Sequence, residues 1–516
     1  MKNLHITGYC FILLLLLPTI LLGQRNNIWC FGDSAGIDFN SGFPITITTS
    51  LDTRGSCVSI ADLNGGLLFY AETRATMAGN TGLIFNSNNV LMQNGDSILG
   101  QGWYHELVTF PDPISDSSFY VFSIGVTASS LPGLFYSKLS FTGNYPLGEV
   151  VIKNSQLLNM RMVDCLTTIK HGNGRDWWVI ARPSPVQQPT YNNIWYTYKI
   201  TPTGIMQMPI QNSGVLNGTN LGNIGVSPDG SKICFTNLGG LIEIYDFDRC
   251  DGLVTNPVTV EPQLSVGPYP YYWSSEFSPS GRYLYVTSST VNSILWQFDT
   301  WAPNITATKT LIWQMTFPPA TIGALKRGPD NKIYLSCAWS DSTGIFNYPY
   351  PPTAYYTENM NLSVINSPDS AGLACDFQPW SFYLGGKRTY WGLPNNPDYD
   401  LGPLVGSPCD TLVGINEPTR TNTNASIHIY YAPDWQTAFI NADNLKGTTY
   451  RLSVYDLMGK EVFSESGKIT PPYYTKNLNC TGWAKGMYVV RLESDSYRTD
   501  SYRTEKEKLT KKFVIE

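Results

Sequence analysis

The chain has 516 residues, of which 42% are hydrophobic and 14% charged, and its net charge is −6 at pH 7. This composition allows a large core and does not indicate disorder, and nothing in the weakly acidic chain is basic enough to predict nucleic-acid binding. The 45 glycines, 34 prolines and 32 tyrosines indicate an all-β, turn-rich protein, and the length predicts two or more domains.

Residues 1–23 have the order of a signal peptide: a lysine at position 2, an apolar run at 11–22 and then Gly23. The apolar run is shorter than the roughly 20 residues that a membrane-spanning helix needs. We therefore expect cleavage near Gly23 and an exported protein without a transmembrane span. No cysteine directly follows the predicted cut, which argues against a lipoprotein.

A tight turn followed by a strand recurs along the chain. The clearest copies begin Val-Ser-Pro-Asp-Gly at 226–230, Phe-Ser-Pro-Ser-Gly at 277–281 and Gly-Pro-Asp-Asn at 328–331. Proline presets φ, Asp or Ser caps the turn, and Gly or Asn accepts the left-handed conformation. The β-branched, aromatic and aliphatic residues that follow suit a half-buried strand. Weaker copies lie near residues 61, 114 and 171, and a seventh is predicted at 377–384.

The copies recur about every 50 residues without helical signals, which is typical of a β-propeller with one blade per copy. We predict a seven-bladed propeller over residues 25–412, with six or eight blades as alternatives. A long β-sandwich or β-solenoid is the competing interpretation. The strand at 28–31 is expected to pair with the last blade, near 377–390, and so to close the ring.

Residues 413–424 are polar and turn-rich and predict a linker. Residues 425–516 predict a small Ig-like β-sandwich. Its expected strands lie at 426–431, 437–441, 450–455, 460–463, 486–492 and 511–516. A duplicated Asp-Ser-Tyr-Arg-Thr at 495–504 is expected to be an exposed insertion before the last strand.

Three blocks in this C-terminal region carry a family resemblance. They read Leu-Ser-Val-Tyr-Asp-Leu-Met-Gly-Lys-Glu-Val at 452–462, Trp-Ala-Lys-Gly-Met-Tyr-Val-Val-Arg at 483–491 and Lys-Lys-Phe-Val-Ile at 511–515. The region resembles the type A sorting domain of Bacteroidota type IX secretion cargo, although Tyr-Tyr-Ala-Pro at 430–433 replaces the usual Tyr-Pro-Asn-Pro. The motif positions are Tyr455, Asp456, Gly459, Lys460, Gly486 and Tyr488.

The resemblance implies passage through the periplasm and outer membrane, recognition of this domain by the type IX secretion machinery, and a final place at the cell surface or outside the cell. The ring also looks like propeller regions of such cargo, a family with no settled activity to carry over.

No motif predicts a catalytic, metal or cofactor site. Gly32-Asp-Ser-Ala-Gly36 matches the G-x-S-x-G nucleophile elbow, but residues 37–44 are a poor helix start, so a glycine-rich turn is favoured over a serine nucleophile. His105, His171 and His428 are isolated, and structural or surface roles are favoured for them.

The acidic turn residues are interpreted as turn caps before calcium ligands; they are Asp62, Asp229 and Asp330. Nine cysteines follow the signal peptide without any C-x-x-C spacing, so zinc is not predicted. The odd number leaves at least one unpaired, and the pairing is not determined by the sequence.

A cluster of aromatic residues lies around Pro268 and Pro270: Tyr269, Tyr271, Tyr272 and Trp273. Exposed aromatic rings can stack on sugars or peptides, whereas packing between blades is the structural alternative. We predict a non-catalytic glycan- or protein-binding module with these residues as candidates. There are two alternatives: a polysaccharide-active enzyme with its site in the propeller channel, and a structural surface component.

Overall fold

A computed structural model describes residues 24–515 except for 75–79, 126–130, 186–190, 290–291, 317–318, 411–424, 433–435, 444, 446, 470–473 and 499–502. The predicted signal peptide and linker lie outside the described residues. Within the described ranges, no helix is long and apolar enough to cross a membrane.

Seven antiparallel sheets follow one another in the described part of residues 28–383. The first three contain β1 Ile28–Phe31, β2 Asp33–Asp38 and β3 Ile45–Asp52; β4 Cys57–Ala61, β5 Leu67–Glu72 and β6 Leu83–Asn86; and β7 Leu107–Asp112, β8 Ser115–Gly125, β9 Gly133–Ser140 and β10 Glu149–Leu158. The fourth contains β11 Thr167–Lys170, β12 Trp177–Ala181, β13 Asn192–Thr201, β14 Gly204–Gln207 and β15 Gln211–Asn217.

The last three sheets each have four strands. They contain β16 Gly222–Val226, β17 Lys232–Asn237, β18 Ile242–Phe247 and β19 Val254–Glu261; β20 Tyr272–Phe277, β21 Tyr283–Ser289, β22 Asn292–Asp299 and β23 Thr310–Thr316; and β24 Ala320–Arg327, β25 Ile333–Trp339, β26 Asn361–Ile365 and β27 Phe377–Tyr383. In the parts of the chain that the structure describes, three short helices interrupt the loops: 3-10 turns at Thr306–Thr308 and Gly372–Cys375, and α1 at Thr357–Met360.

The first strand of each sheet lies innermost, and these strands face one another. Every residue of β1 and β4 is buried. Side-chain hydrogen bonds join neighbouring inner strands, from Cys30 N to Ser59 Oγ, Ser275 N to Asn223 Oδ1 and Leu325 N to Ser274 Oγ. Successive up-and-down sheets joined at their inner strands form a β-propeller, so the all-β propeller fold is confirmed.

The turns that predicted the repeat have the expected backbone geometry. Gly230, Gly281 and Asn331 have φ values of +70°, +75° and +62°, in the left-handed region that glycine and asparagine favour. Each connects an inner strand to the second strand of its sheet.

Two predictions about the ends of the ring are wrong. The strand Ile28–Phe31 pairs with β2 in a sheet of its own instead of completing the last blade. Residues 377–384 are not a seventh turn-strand copy, because Phe377–Tyr383 is the outermost strand of the last sheet and pairs with β26. The corresponding turn lies at Gly32, between β1 and β2, where φ is +60°.

The C-terminal domain is a pair of antiparallel sheets. One contains β28 Ser426–Ala432, β29 Thr437–Asp443 and β32 Tyr474–Asn479, and the other contains β30 Thr449–Tyr455, β31 Glu461–Lys468, β33 Gly486–Arg498 and β34 Arg503–Ile515. Ile440, Leu452, Val490 and other residues of both sheets form one buried core. The immunoglobulin-like topology stays a prediction.

Two details of this domain differ from expectation. The strand Tyr474–Asn479 was not predicted. The duplicated segment does not precede the last strand as an insertion, because its described residues continue β33 and β34, with Arg498 opposite Arg503.

Candidate functional sites

The segment after the last blade returns to the centre of the ring. The backbone N–H of Asn395 donates to Cys57 O at 2.9 Å, and its side-chain amide donates to the carbonyl oxygens of Leu107 and Leu166, at 2.9 and 2.8 Å. One asparagine therefore connects β4, β7 and the residue before β11, which belong to three successive sheets.

Asn396 continues this central plug across the ring. Its side-chain oxygen accepts from Ser59 N at 3.0 Å, and its amide donates to Asn26 Oδ1 at 3.0 Å. On the other side, the ammonium of Lys326 in β24 donates to the carbonyl oxygen of Asn396. We refer to residues 395–402 as the plug.

Further contacts hold the plug to the third, fourth and fifth sheets. The Tyr399 hydroxyl donates to Thr109 O at 3.1 Å, and Lys170 Nζ donates to Tyr399 O at 2.9 Å. The buried Arg249 donates to Gly402 O at 2.6 Å. Beyond the plug, a disulfide joins Cys250 to Cys409 with a Cα–Cα distance of 5.3 Å.

The plug forms the floor of an open cavity of about 990 Å³ at one mouth of the channel, which we call the cup. Its walls come from the inner strands and from the turns after β16, β20 and β24. The charged and imidazole side chains around it are His105, Lys170, Glu276, Lys326, Arg327, Asp330, Asp398 and Asp400.

Burial perturbs several of these groups. It lowers the pKa of the Lys326 ammonium, an effect that the carboxylate of Glu276 opposes, and it raises the pKa of Glu276. It also lowers the pKa of Lys170, and it raises the pKa of Asp400 to about 6, with the neighbouring Asp398 adding to the shift. These shifts arise because the cup removes water from the charged forms.

His105 lies in the cup as a neutral ring. Its Nδ1 is 2.9 Å from the side-chain amide nitrogen of Asn223, and burial lowers its pKa to about 3. Because an amide nitrogen only donates, Nδ1 must accept, and the proton then resides on Nε2.

An aromatic layer lies on the other side of His105. Tyr104 stacks on His105 with ring centroids 4.2 Å apart, and it also contacts Trp273 at 5.4 Å. Trp273 in turn contacts Trp391, against which Phe346 packs at 4.7 Å.

The four aromatic candidates from the sequence do not form one site. Tyr272 is buried, and its hydroxyl oxygen accepts from Lys309 Nζ at 3.0 Å. Trp273 belongs to the aromatic layer. Tyr269 and Tyr271, with ring centroids 6.2 Å apart, line a second cavity of about 630 Å³, which we call the tyrosine cavity.

The tyrosine cavity has an uncharged lining. It combines Tyr191, Tyr269 and Tyr271 with the polar side chains of Thr219, Gln263 and Ser265. Gln263 accepts through Oε1 from Asn237 and from Gly218 N, at 2.8 and 3.3 Å, which directs its NH₂ group away from these partners. Sequence reasoning missed Tyr191 and Gln263, because neither stands in a motif and both are distant from Tyr269 along the chain.

The G-x-S-x-G match begins at the Gly32 turn and continues into β2. Ser34 and Gly36 belong to β2, which is followed by β3 and not by a helix. Asp33 pairs with Arg388. This arrangement lacks the strand–turn–helix that a nucleophile elbow requires.

The remaining single residues have structural surroundings. His171 Nδ1 accepts from Asn173 N at 3.0 Å, and Nε2 contacts Cys250 O at 2.9 Å; the side chain of His428 lies outside the described residues. Asp229 caps its turn through Ser227 and Ser231. Among the described residues, no group of three or more His, Cys, Asp and Glu side chains is placed to hold a metal ion.

The sorting-domain motif builds a hairpin and part of a core. Asp456 accepts from Met458 N and Lys460 N, at 2.9 and 3.0 Å, and Gly459 has φ of +78°. Tyr488 stacks on Phe513 at 5.5 Å and donates to Ala484 O at 2.7 Å. The two remaining motif positions lie beside these: Tyr455 under the Arg491 guanidinium and Gly486 at the start of β33.

Comparison with known proteins assigns the C-terminal domain. Residues 428–516 match the family described as secretion system C-terminal sorting domain. No curated protein matches the sequence.

Comparison with solved structures found similarities at low TM-scores. The chain is similar to a putative 6-phosphogluconolactonase from Bacteroides fragilis NCTC 9343, with 11% identity, a TM-score of 0.42, and coverage of 71% of this chain and 98% of that chain. It is also similar to the periplasmic gluconolactonase PpgL of Pseudomonas aeruginosa, with 10% identity, a TM-score of 0.34, and coverage of 82% and 100%. Likeness at these TM-scores does not bear on activity.

The class of protein follows from the two domains together. A β-propeller with a C-terminal sorting domain is cargo of the type IX secretion system, which recognises the sorting domain and exports the chain to the cell surface or the medium.

Proposed function

We propose that the exported propeller is a non-catalytic binding module that holds an uncharged glycan segment in the tyrosine cavity. The observation that carries this proposal is the lining itself: three tyrosines and three uncharged polar side chains around about 630 Å³, with no charged side chain among the described lining residues.

The rings supply the apolar contact. Tyr191 and Tyr271 are 60% and 41% exposed, so their faces are available to a ligand. Tyrosine offers a large, rigid surface at low cost in side-chain entropy, and the apolar face of a sugar ring packs well on it. The Gln263 amide and the Thr219 and Ser265 hydroxyls can meet the sugar hydroxyls without introducing charge.

The cup supports a second candidate, an enzyme acting on polysaccharide ends. Glu276 and Asp400 both have raised pKa values there, as acid catalysts often do. Because the plug forms the floor of the cup, such an enzyme would receive a chain end and not a chain threaded through the ring.

Affinity electrophoresis of the full mature chain tests the proposal. Gels containing neutral polysaccharides (β-glucan, mannan, xylan) should retard the protein more than gels containing alginate or pectate. Tyr271→Ala should weaken retention about tenfold, a loss of about 1.4 kcal/mol. Tyr383→Ala is the matched control, because Tyr383 is 56% exposed and lies outside the tyrosine cavity.

Reducing ends should be measured in the same samples. Release of sugar would contradict a non-catalytic role and favour the enzyme in the cup. Retention that Tyr271→Ala leaves unchanged, or equal retention by charged polysaccharides, would contradict the proposed site.

A further inference from the structure

We propose that the cup is a second, separate binding site, which takes a small uncharged polyhydroxylated ligand of one or two sugar rings. It goes beyond the proposed function, because it concerns different residues and does not depend on the tyrosine cavity.

Three cation–carboxylate couples surround the cup: one is a long ion pair without a hydrogen bond, and the other two do not close. Arg327 and Asp398 approach to 3.6 Å, which is too long for a hydrogen bond. In the described cup, Lys326 with Glu276 and Lys170 with Asp400 influence each other's charge but do not reach ion-pair distance. Elsewhere in the ring, pairs such as Lys232 with Asp246 close to 2.6 Å.

The plug holds both lysines in these open positions. Lys326 donates to the carbonyl oxygen of Asn396, and Lys170 donates to that of Tyr399. An ammonium has three N–H donors, so each lysine has donors left for the cup. Their carbonyl partners belong to a segment that is itself fixed to the ring, which makes the arrangement rigid before any ligand enters.

His105 adds a neutral donor to the same cavity. Its Nδ1 is occupied by the Asn223 amide, so its Nε2–H is the donor that remains. The cup therefore presents ammonium, guanidinium and imidazole N–H donors beside the carboxylate acceptors of Glu276 and Asp400.

Hydroxyl groups match this mixed lining better than ions do. Each hydroxyl both accepts and donates, so a vicinal diol can accept from a lysine and donate to the carboxylate of the same couple. An anionic ligand would face four carboxylates, and a cationic ligand would face two ammonium groups and a guanidinium. A volume of about 990 Å³ accommodates one or two sugar rings with some water.

Titration calorimetry of the full mature chain tests this assignment. The probes are glucose, galactose, mannose and myo-inositol, two disaccharides (cellobiose and maltose), and the charged analogues glucuronate and glucosamine. At least one neutral probe should bind, and more tightly than either charged analogue. Asp400→Asn and Glu276→Gln should each weaken that binding at least tenfold, because each removes a charged hydrogen-bond acceptor.

The variants also separate this site from the tyrosine cavity. The Asp400 side chain makes no hydrogen bond among the described residues, so Asp400→Asn should leave the fold and the polysaccharide retention unchanged. Glu358→Gln, outside the cup, is the matched control, and Tyr271→Ala should leave small-sugar binding intact.

Three results would overturn the proposal. They are the absence of binding by every neutral probe at millimolar concentration, tighter binding of glucuronate or glucosamine, and neutral-sugar binding that neither cup variant weakens.

Discussion

Asp33 and Arg388 close the propeller, although 355 positions separate them in the chain. The guanidinium donates to Asp33 Oδ2 through Nε at 2.8 Å and through Nη2 at 2.6 Å. The backbone N–H of Asp33 also donates to Arg388 O at 2.8 Å. Arg388 additionally donates to Pro351 O and lies over the ring of Tyr355. The first sheet is thus joined to the segment that follows the last one.

Removing this guanidinium should destabilise the ring. The Arg388 side chain is 8% exposed and Asp33 is 25% exposed, so Arg388→Met leaves a largely buried carboxylate without its partner. We expect the free energy of unfolding to fall by roughly 2 to 3 kcal/mol. This loss is small for a broken buried ion pair, because Asp33 keeps some contact with water. Urea unfolding followed by tryptophan fluorescence measures it.

The matched control for that substitution is Arg282→Met. Arg282 pairs with Asp299 at 2.8 Å on the surface, where solvent screens the interaction, and its loss should change stability much less. Equal effects of the two substitutions would contradict a closing role for Arg388.

The disulfide between Cys250 and Cys409 should also stabilise the ring. It joins two residues that are 159 positions apart in the sequence, and this cross-link lowers the conformational entropy of the unfolded chain. The double variant Cys250→Ser, Cys409→Ser should lose about 2 to 4 kcal/mol of stability. Thermal unfolding measures this loss. Reductant should lower the Tm of the wild type to that of the double variant, and it should leave the Tm of the double variant unchanged.

Thiol labelling of the unfolded protein provides the independent check. The other seven cysteines of the described residues are free and buried. Without reductant, seven of the nine cysteines that follow the predicted signal peptide should react. Reaction of all nine would show that the disulfide is absent in the isolated protein.

Asp164 should make the propeller less stable as the pH rises. Burial raises the pKa of its carboxyl from 3.8 to about 8. Above about pH 4 the unfolded chain loses this proton while the folded protein keeps it, so the folded state becomes progressively disfavoured up to about pH 8. Asp164→Asn removes this penalty, and its stability relative to the wild type should increase between pH 5 and pH 8.

Urea midpoints at pH 5, 6, 7 and 8 measure the difference. Asp251→Asn, at an exposed position, should give a profile parallel to that of the wild type. A parallel profile for Asp164→Asn as well would show that its carboxyl ionises normally in the folded protein.

Local features of the fold were predictable because they depend on local chemistry. The turns at Gly230, Gly281 and Asn331 need positive φ, which few residues tolerate, so their spacing along the sequence reveals the repeat. The same applies to the hairpin at Asp456 and Gly459, where a capping carboxylate and a left-handed glycine stand in one short motif.

The ends of the ring were mispredicted because local pattern does not identify the partner of a strand. Both β1 and β27 look like acceptable strands from their residues alone. Which sheet each one joins depends on contacts with residues far away, as Asp33 with Arg388 shows. Closure of the propeller is such a contact. It costs chain entropy, which is offset only by the contacts that form in the assembled ring.

The sequence by itself determined an all-β repeat and a sorting domain, because turns and short motifs depend only on residues that are adjacent in the sequence. Only the tertiary structure decided where ligands could be held. It separated Tyr271 from Trp273, brought Tyr191 and Gln263 to the tyrosine cavity, and placed Asn395 against carbonyl oxygens 288 and 229 positions away. The physical reason is that a cavity consists of side chains gathered from many blades, and their meeting depends on the closed ring and not on any single stretch of chain.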